Sequence, residues 1–276
     1  MTKKVLRKEK HVKRHLIIPD CQVRPGDDLS YLYWIGQYIV DKKPDVIIHL
    51  GDFADMPSLS SYDVGKKSFE GRTYTADIEA ANIGMSMLLS PITSYNVKQV
   101  ANKKKQYSPR MVLVLGNHEA RIDRAVELDR KLEGLISIGD LKYKEWGWEV
   151  FPFLTPVFID GICYCHYLCS GSMGKPISAA HLILQKKHNS CVVGHQQGRD
   201  VAYSHKADGS QITAIICGSC YMHDESYLNA QTNNHWRGII MLNEVKDGVF
   251  DECFVSLNYL ERKYGSKNNQ SNSNKE

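Results

Sequence analysis

Five short apolar runs of the chain are each followed closely by a polar residue of a type that binds metal ions. These residues are Asp20 after HLIIP, Asp52 after DVIIHL, Asn117 after MVLVL, His166 after ICYC and His195 after CVV. Carboxylate, amide oxygen and imidazole together suit a divalent ion such as manganese, iron, zinc or magnesium. A single Asp after a strand is usually a turn former or a helix cap, but five such ends predict one shared metal site.

The elements that must position these residues alternate along the first half of the chain. Apolar runs at 15–19, 45–50 and 111–115 predict buried strands, and helical spacing predicts helices over 29–40, 76–90 and 120–132. The second helix is expected to break near Pro91. This βαβαβ order predicts a parallel sheet with crossover helices. Ligands of such sheets bind at the carboxyl ends of the strands, so the polar residues are expected to converge.

The second half of the chain changes character. Residues 156–166 predict a hairpin, 177–187 a helix that starts near Pro176, and 191–195 a buried strand. Two Asp-Gly pairs, at 208–209 and 247–248, predict further hairpins. With no linker or internal repeat, the pattern predicts one domain with two sheets.

Composition narrows the class of protein. A chain of 276 residues with a net charge of +4 is typical of a soluble globular protein, and no apolar stretch predicts a membrane span or a signal peptide. The protein is therefore expected in the cytoplasm. Residues 1–14 form a basic N-terminal arm that is either solvated or binds nucleic acid, 15–262 the domain, and 263–276 a disordered polar tail. Eight cysteines are expected as reduced thiols.

The polar residues fall into motifs whose order resembles the calcineurin-like metallophosphoesterases over about residues 15 to 220. The motifs are Asp20-Cys21-Gln22, Gly51-Asp52-Phe53-Ala54-Asp55, Gly116-Asn117-His118-Glu119, the lone His166, and Gly194-His195-Gln196-Gln197. The second and third motifs, at this distance from each other, are a specific signal of the family. The assignment of His166 is supported only by its position in the sequence. The resemblance implies an α/β fold, a four-layer α/β/β/α sandwich with two mixed sheets flanked by helices.

The resemblance also implies a hydrolase with two divalent metal ions. Asp52 would bridge both ions, with Asn117, His166 and His195 completing one site and Asp20 holding the other ion. His118 would donate a proton to the leaving oxygen or stabilise the transition state, while activated water attacks phosphorus. Asp55 and Glu119 would orient ligands or cap the following helix. Arg121 and Arg199 are candidate substrate-binding residues, or equally surface arginines.

Gln22 and Gln197 depart from the family pattern, which has histidine at both positions. Three alternatives stay open: the amide oxygens bind a harder ion, the site fills with substrate, or the site is lost. The first two are favoured, because the other half and His118 are intact. We therefore expect two ions, most favourably manganese, with magnesium, iron or zinc also possible and the Gln22/Gln197 site weaker.

The expected function is hydrolysis of a phosphoester, most favourably by a phosphodiesterase or nuclease acting on nucleic acid or nucleotides. Met56 and Tyr167 stand where phosphoprotein phosphatases of the family have arginine and glycine. The alternatives are a phosphomonoesterase acting on a small molecule and a non-catalytic metal-binding module. The glutamine variant resembles a branch found in bacteriophage genomes, which would place it in the host cytoplasm. The aromatic-rich stretch 221–236 either stacks a base or packs as a loop, and segments 56–75 and 133–147 are lids or loops.

Overall fold

Two β-sheets form the centre of the molecule in a computed structural model that describes residues 12–225 and 233–265, without the side chain of Ser68. The first sheet contains β1 (Lys13–Ile18), β2 (Val46–His49), β3 (Arg110–Val114), β4 (Glu149–Phe151), β10 (Gly238–Lys246) and β11 (Val249–Ser256). The second contains β5 (Val157–Ile159), β6 (Ile162–Cys165), β7 (Cys191–Val193), β8 (Arg199–His205) and β9 (Gln211–Cys217). Their spatial orders are β11-β10-β1-β2-β3-β4 and β5-β6-β7-β9-β8.

Residues 16–18 of strand β1 are all apolar and do not alternate with polar residues, because both faces of the strand are buried. It pairs in parallel with β2 and antiparallel with β10, so it lies inside the sheet. Leu16 and Ile18 pack on the helix side, whereas Ile17 packs against the second sheet. A strand that is buried on both faces reads as continuous apolar sequence.

Helices cover the outer face of each sheet. The helices α1 (Ser30–Lys42), α2 (Tyr74–Ala101) and α3 (Ala120–Leu128) contribute to the core beside the first sheet, and α4 (Ala180–Lys187) to the core beside the second. A third apolar cluster fills the space between the sheets. The predicted four-layer α/β/β/α arrangement is confirmed. No helix among the described residues is long and apolar enough to cross a membrane.

The predicted break of the second helix at Pro91 is wrong, because α2 continues through it. Proline leaves the carbonyl of residue i−4 without a backbone donor. Here the Ser90 Oγ hydroxyl donates to the Met87 carbonyl at 3.1 Å and satisfies it. A Cβ at Gly36 would lie 2.3 Å from the Leu88 carbonyl, so glycine lets α1 approach this part of α2.

Several predicted boundaries also move. The helix predicted from residue 177 begins at Ala180, whose backbone N–H donates to the Asp200 carboxylate at 2.7 Å, while Pro176 pairs with Cys169 in an isolated bridge. The helix predicted over 120–132 ends at Leu128, and Arg130–Leu132 forms a 3-10 turn. At the ends of the chain, β1 starts inside the predicted arm and a helical turn reaches Gly265. Residues 1–11 and 266–276 lie outside the described residues.

Candidate metal centre

Five strand ends meet at one edge of the sandwich, as the sequence predicts. Side-chain ligand atoms of Asp52, His166 and His195 lie within 4.8 Å of one another. They follow β2, β6 and β7, so both sheets contribute. The Asn117 amide, after β3, lies between the two imidazoles, with its Oδ1 atom 2.8 Å from a ring nitrogen of each.

The orientation of the His166 ring is defined by its surroundings. Its Nδ1 atom donates to the Leu50 carbonyl at 2.7 Å, because a carbonyl can only accept. Nε2 therefore points to the acceptor atoms Asn117 Oδ1 at 2.8 Å and Asp52 Oδ2 at 3.3 Å. Burial lowers the pKa of His166, but the Asp52 charge outweighs it and raises the pKa to about 9. The proton on Nε2 therefore lies between these acceptor oxygens, and a metal ion would take the place of that proton.

His195 presents a neutral imidazole to the same point. Burial, together with the nearby His166, lowers the pKa of His195 to about 4, and a neutral ring is the form that binds a metal ion. The Tyr167 ring packs against it with centroids 4.6 Å apart. Tyr167 therefore covers one side of this imidazole.

Asp20 and Gln22 form an oxygen-rich half of the cluster. Asp20 Oδ1 accepts the His195 backbone N–H at 3.0 Å, whereas Asp20 Oδ2 and Gln22 Oε1 are buried and have no partner among the described residues. Burial raises the pKa of Asp20 to about 7. Unpaired buried oxygens cost free energy, so these two atoms fit a bound cation. Gln197, half-buried, lies two residues after His195.

The backbone at the cluster is strained and tightly packed. Gln22, Asp52, Met56 and His195 all have positive φ, between 43° and 65°. Such residues cost free energy and collect at functional sites. A Cβ at Gly116 would lie 2.0 Å from Asp52 Oδ1, so this position requires glycine.

Glu119 holds the ends of β2 and β3 together. Its carboxylate accepts the backbone N–H groups of four residues at 2.7–3.1 Å, namely Asp52, Phe53, Ala54 and Gly116. The Tyr143 hydroxyl donates to the same carboxylate at 3.1 Å. Glu119 makes no cap hydrogen bond to α3. Of the two roles expected, the contacts agree with orientation of Asp52 and not with capping.

His118 lies between the cluster and Asp55. Its backbone N–H donates to Asp52 Oδ1 at 2.8 Å, and its ring Nδ1 donates to Asp55 Oδ1 at 2.6 Å. The ring Nε2 atom lies 3.7 Å from Asp52 Oδ2. Burial opposes the charged ring, but the charges of Asp52 and Asp55 raise the pKa of His118 above its ordinary value. Asp55 therefore orients an imidazole that holds a proton close to the cluster.

A cavity of about 940 Å³ opens beside His118. Asn117, His195 and Arg121 line it, together with residues of the segment 57–77. The segment 56–75 is therefore a wall of this cavity. No described residue of segment 133–147 lines this cavity. The Tyr74 hydroxyl donates to Asp140 of that segment at 2.7 Å, and Tyr143 contacts Glu119.

Two arginines were expected near substrate, and the structure brings one of them to the cluster. Arg121 Nη1 donates to the Asp55 carbonyl at 2.8 Å, and its Nη2 lies 3.2 Å from His118 Nε2. The Arg199 guanidinium instead stacks on Trp236 and Phe254, and Arg199 is not among the described residues that line the cavity. Its proposed contact with substrate stays a prediction.

Sequence reasoning missed Arg24, which lines the cavity two residues after Gln22. Its position close behind the first motif was the available signal. In the aromatic-rich stretch 221–236, Tyr221 is buried and stacks on His223, with centroids 4.4 Å apart. This part agrees with loop packing, while residues 226–232 lie outside the described residues.

The chain is similar to known proteins over different parts of its length. The sequence profile of the calcineurin-like phosphoesterase family matches residues 13–218, more than half of the chain. A stretch of 55 residues is 42% identical to the Gene 54 protein of Mycobacterium phage L5 and covers 20% of this chain and 21% of that protein. The chain thus matches about a fifth of that relative's length.

Two solved structures are similar over most of their length, with low TM-scores. One is a conserved uncharacterized protein of Streptococcus pneumoniae TIGR4, described as a predicted phosphoesterase, with 10% identity, a TM-score of 0.34 and coverage of 90% of this chain and 92% of that chain. The other is TT1561 of Thermus thermophilus, with 10% identity, a TM-score of 0.34 and coverage of 88% of this chain and 99% of that chain.

Proposed function

The chain belongs to the calcineurin-like phosphoesterase family, and from that premise we propose that it is a phosphodiesterase that acts on nucleic acid or nucleotides. Family membership makes it a metal-dependent hydrolase of phosphoester bonds. The observation that supports a diester is the cavity of about 940 Å³ beside His118. A cavity of this size accommodates organic groups on the substrate phosphate.

Two groups of residues would hold the metal ions. Asn117, His166 and His195 would bind one ion and Asp20, Gln22 and Gln197 the other, with Asp52 shared between them. When bound, two divalent ions lower the pKa of a water molecule and neutralise charge on the attacking and leaving oxygens. Manganese suits the mixture of oxygen and nitrogen donors best, with magnesium, iron and zinc as alternatives. Two amides make the second site weaker.

His118 and Arg121 act beside the metal ligands. Asp55 holds His118 Nδ1, so Nε2 is the atom that gives its proton to the leaving oxygen. Arg121 lies against the backbone carbonyls of Asp55 and Met56. It therefore places a guanidinium beside the position where related phosphoprotein phosphatases have arginine, close to a substrate held at the cluster.

The test compares an aryl phosphodiester with the matching monoester. Metal-stripped protein receives manganese, magnesium or zinc, with His118→Ala as the control. We expect diester turnover with manganese and a fall of at least ~100-fold in the variant, the usual scale of acid–base catalysis. Turnover of the monoester alone would indicate a phosphomonoesterase. No turnover with any metal, while the protein still binds an ion, would indicate a non-catalytic module.

A further inference from the structure

Two guanidinium groups that line the cavity, those of Arg24 and Arg121, lie 3.9 and 3.6 Å from the Asp55 carboxylate. We propose that Arg24 and Arg121 form a subsite for a second phosphate of the substrate, next to the phosphate whose bond is broken. This inference rests on the proposed phosphodiesterase function and narrows its substrate to diesters that carry a neighbouring phosphate, as at the end of a nucleic acid strand.

Arg121 is close enough to the chemistry to contact a neighbouring phosphate. Its Nη2 atom lies 3.2 Å from His118 Nε2, and that atom lies 3.7 Å from Asp52 Oδ2. The Arg121 side chain is 14% exposed, and the residue lines the cavity. A guanidinium that is largely buried but open to a cavity strengthens its hydrogen bonds to an anion.

Arg24 is held in place from three directions. Its Nε atom donates to Asp27 at 2.9 Å, and its Nη1 atom lies 3.5 Å from Glu225 and 3.9 Å from Asp55. These contacts join three separate loops around one guanidinium. Because Arg24 is already ordered, it loses little side-chain entropy when it binds a phosphate.

The Arg24 guanidinium keeps donors for a ligand. A guanidinium has five N–H donors. The contacts described for Arg24 use Nε and Nη1, so the two N–H bonds of Nη2 point to no described acceptor. The other cations that line the cavity, Lys66 and Arg72, pair with Asp63 at 2.8 and 2.9 Å and, unlike Arg24 and Arg121, make no described contact with Asp55 or His118. Arg24 and Arg121 are therefore the described cations next to His118 that a second phosphate would meet.

The competing explanation is that Arg24 only steadies Asp55 and, through it, His118. The two explanations differ in their dependence on the ligand. A phosphate subsite affects ligands with two phosphates more than ligands with one, whereas a positioning residue affects both alike.

Binding decides between them without turnover. Calorimetry on manganese-loaded protein would compare thymidine 3′,5′-bisphosphate with thymidine 5′-monophosphate. We expect the bisphosphate to bind at least ~10-fold more tightly, because guanidinium–phosphate bonds are charge-assisted. Arg24→Gln should reduce this ratio to within about twofold, and Arg24→Lys should keep part of it because the charge stays. Equal affinities on the unaltered protein, or an unchanged ratio in Arg24→Gln, would overturn the subsite.

A matched control removes the same charge elsewhere. Arg110, at the start of β3, pairs with Glu149 at 2.8 Å on the opposite edge of the sheet. Arg110→Gln should keep the full ratio, and loss of the ratio there would mean that net charge alone sets the affinity.

Kinetics separates the subsite from the proposed function. The p-nitrophenyl esters of the same two nucleotides share one scissile bond and differ by one phosphate. If the unaltered protein cleaves neither ester, the proposed function fails, and the calorimetric ratio still decides the subsite. If it cleaves both and Arg24→Gln lowers kcat/KM equally for both, Arg24 is a positioning residue and the subsite is wrong.

Discussion

Strand β1 has buried polar groups near both of its ends, and the groups at the two ends differ in whether they have hydrogen-bond partners. At the amino end, His15 lies between the Tyr164 hydroxyl at 2.8 Å and Asp160 at 3.1 Å, and Lys13 pairs with the same carboxylate at 2.9 Å. At the carboxyl end, Asp20 Oδ2 and Gln22 Oε1 have no partner among the described residues.

Burial is the same at both ends, so burial alone does not distinguish structure from function. His15 and Asp20 are both 0% exposed. What differs is whether each polar atom has a partner within the protein. A paired buried network stabilises the fold, whereas unpaired buried atoms lower stability unless a ligand pairs with them. The amino end therefore serves the fold, and the carboxyl end serves ligand binding.

The largest expected effect comes from replacing one aspartate at each end, which tests whether the carboxyl end binds ligand and the amino end stabilises the fold. Asp52→Asn should lower phosphodiester turnover by at least ~1000-fold, or about 4 kcal/mol in transition-state stabilisation. Asp160→Asn, at the amino end, should destabilise the protein but leave turnover of the folded fraction unchanged. Steady-state kinetics and urea unfolding on both variants measure this. Comparable losses of turnover would remove the distinction between the ends.

The next effect tests whether pairing, and not the end of the strand, decides the role of a buried group. Glu119 lies at the carboxyl end, but both of its carboxylate oxygens accept hydrogen bonds. Glu119→Gln should lower the free energy of unfolding by about 3 kcal/mol, since the amide replaces one acceptor oxygen with a donor facing backbone N–H groups. Glu133→Gln, on an exposed side chain, is the control and should change stability little. If urea unfolding shows that Glu119→Gln leaves stability unchanged, the role of Glu119 in holding the ends of β2 and β3 together is contradicted.

The amino end should also be sensitive to acid. Burial lowers the pKa of His15 to about 4, against 6.5 for an unperturbed histidine. Between these values the unfolded chain binds a proton that the folded chain does not, so stability falls as the pH falls. From pH 7 to pH 5 His15 should account for a loss of roughly 2 kcal/mol. His15→Gln should flatten the pH dependence of urea unfolding by this amount, and an identical slope would count against it.

The smallest expected effect is a difference in metal affinity between the two proposed sites at the carboxyl end. Titration of manganese into metal-stripped protein should show two classes of site that differ at least ~10-fold in affinity, or about 1.4 kcal/mol. Gln22→Leu should abolish the weaker class and leave the tighter one. Calorimetry that shows two equal sites would contradict a weaker oxygen-rich half.

The sequence predicted those elements correctly whose structure depends on residues close to one another in the chain. Continuous apolar runs predicted the inner strands, and a glycine with a polar residue after a run predicted the strand ends that meet at the cluster. The course of α2 through Pro91 depends on the Ser90 hydroxyl and on close approach to Gly36, which no local pattern shows.

Contacts between residues far apart in the chain explain why the sequence alone did not place Arg24 at the cavity or Arg199 away from it. Arg24 contacts Glu225 across 201 positions of sequence, so its place at the cavity follows from the fold and not from its neighbours in the chain. Arg199 follows a site motif closely, but the direction of β8 carries it to Trp236.

The pairing of β1 with β10 has a consequence for the order in which the protein is made. The ribosome synthesises β1 more than two hundred residues before Gly238–Lys246, the strand that covers one of its edges. Until then the nascent chain carries an apolar strand with an open edge, which is prone to pair with other chains. The same delay applies to Asp20, whose carbonyl accepts the Cys220 N–H at 2.7 Å. The cluster therefore cannot close until Cys220 has been synthesised, and a product truncated before that residue is the form in which aggregation should first appear.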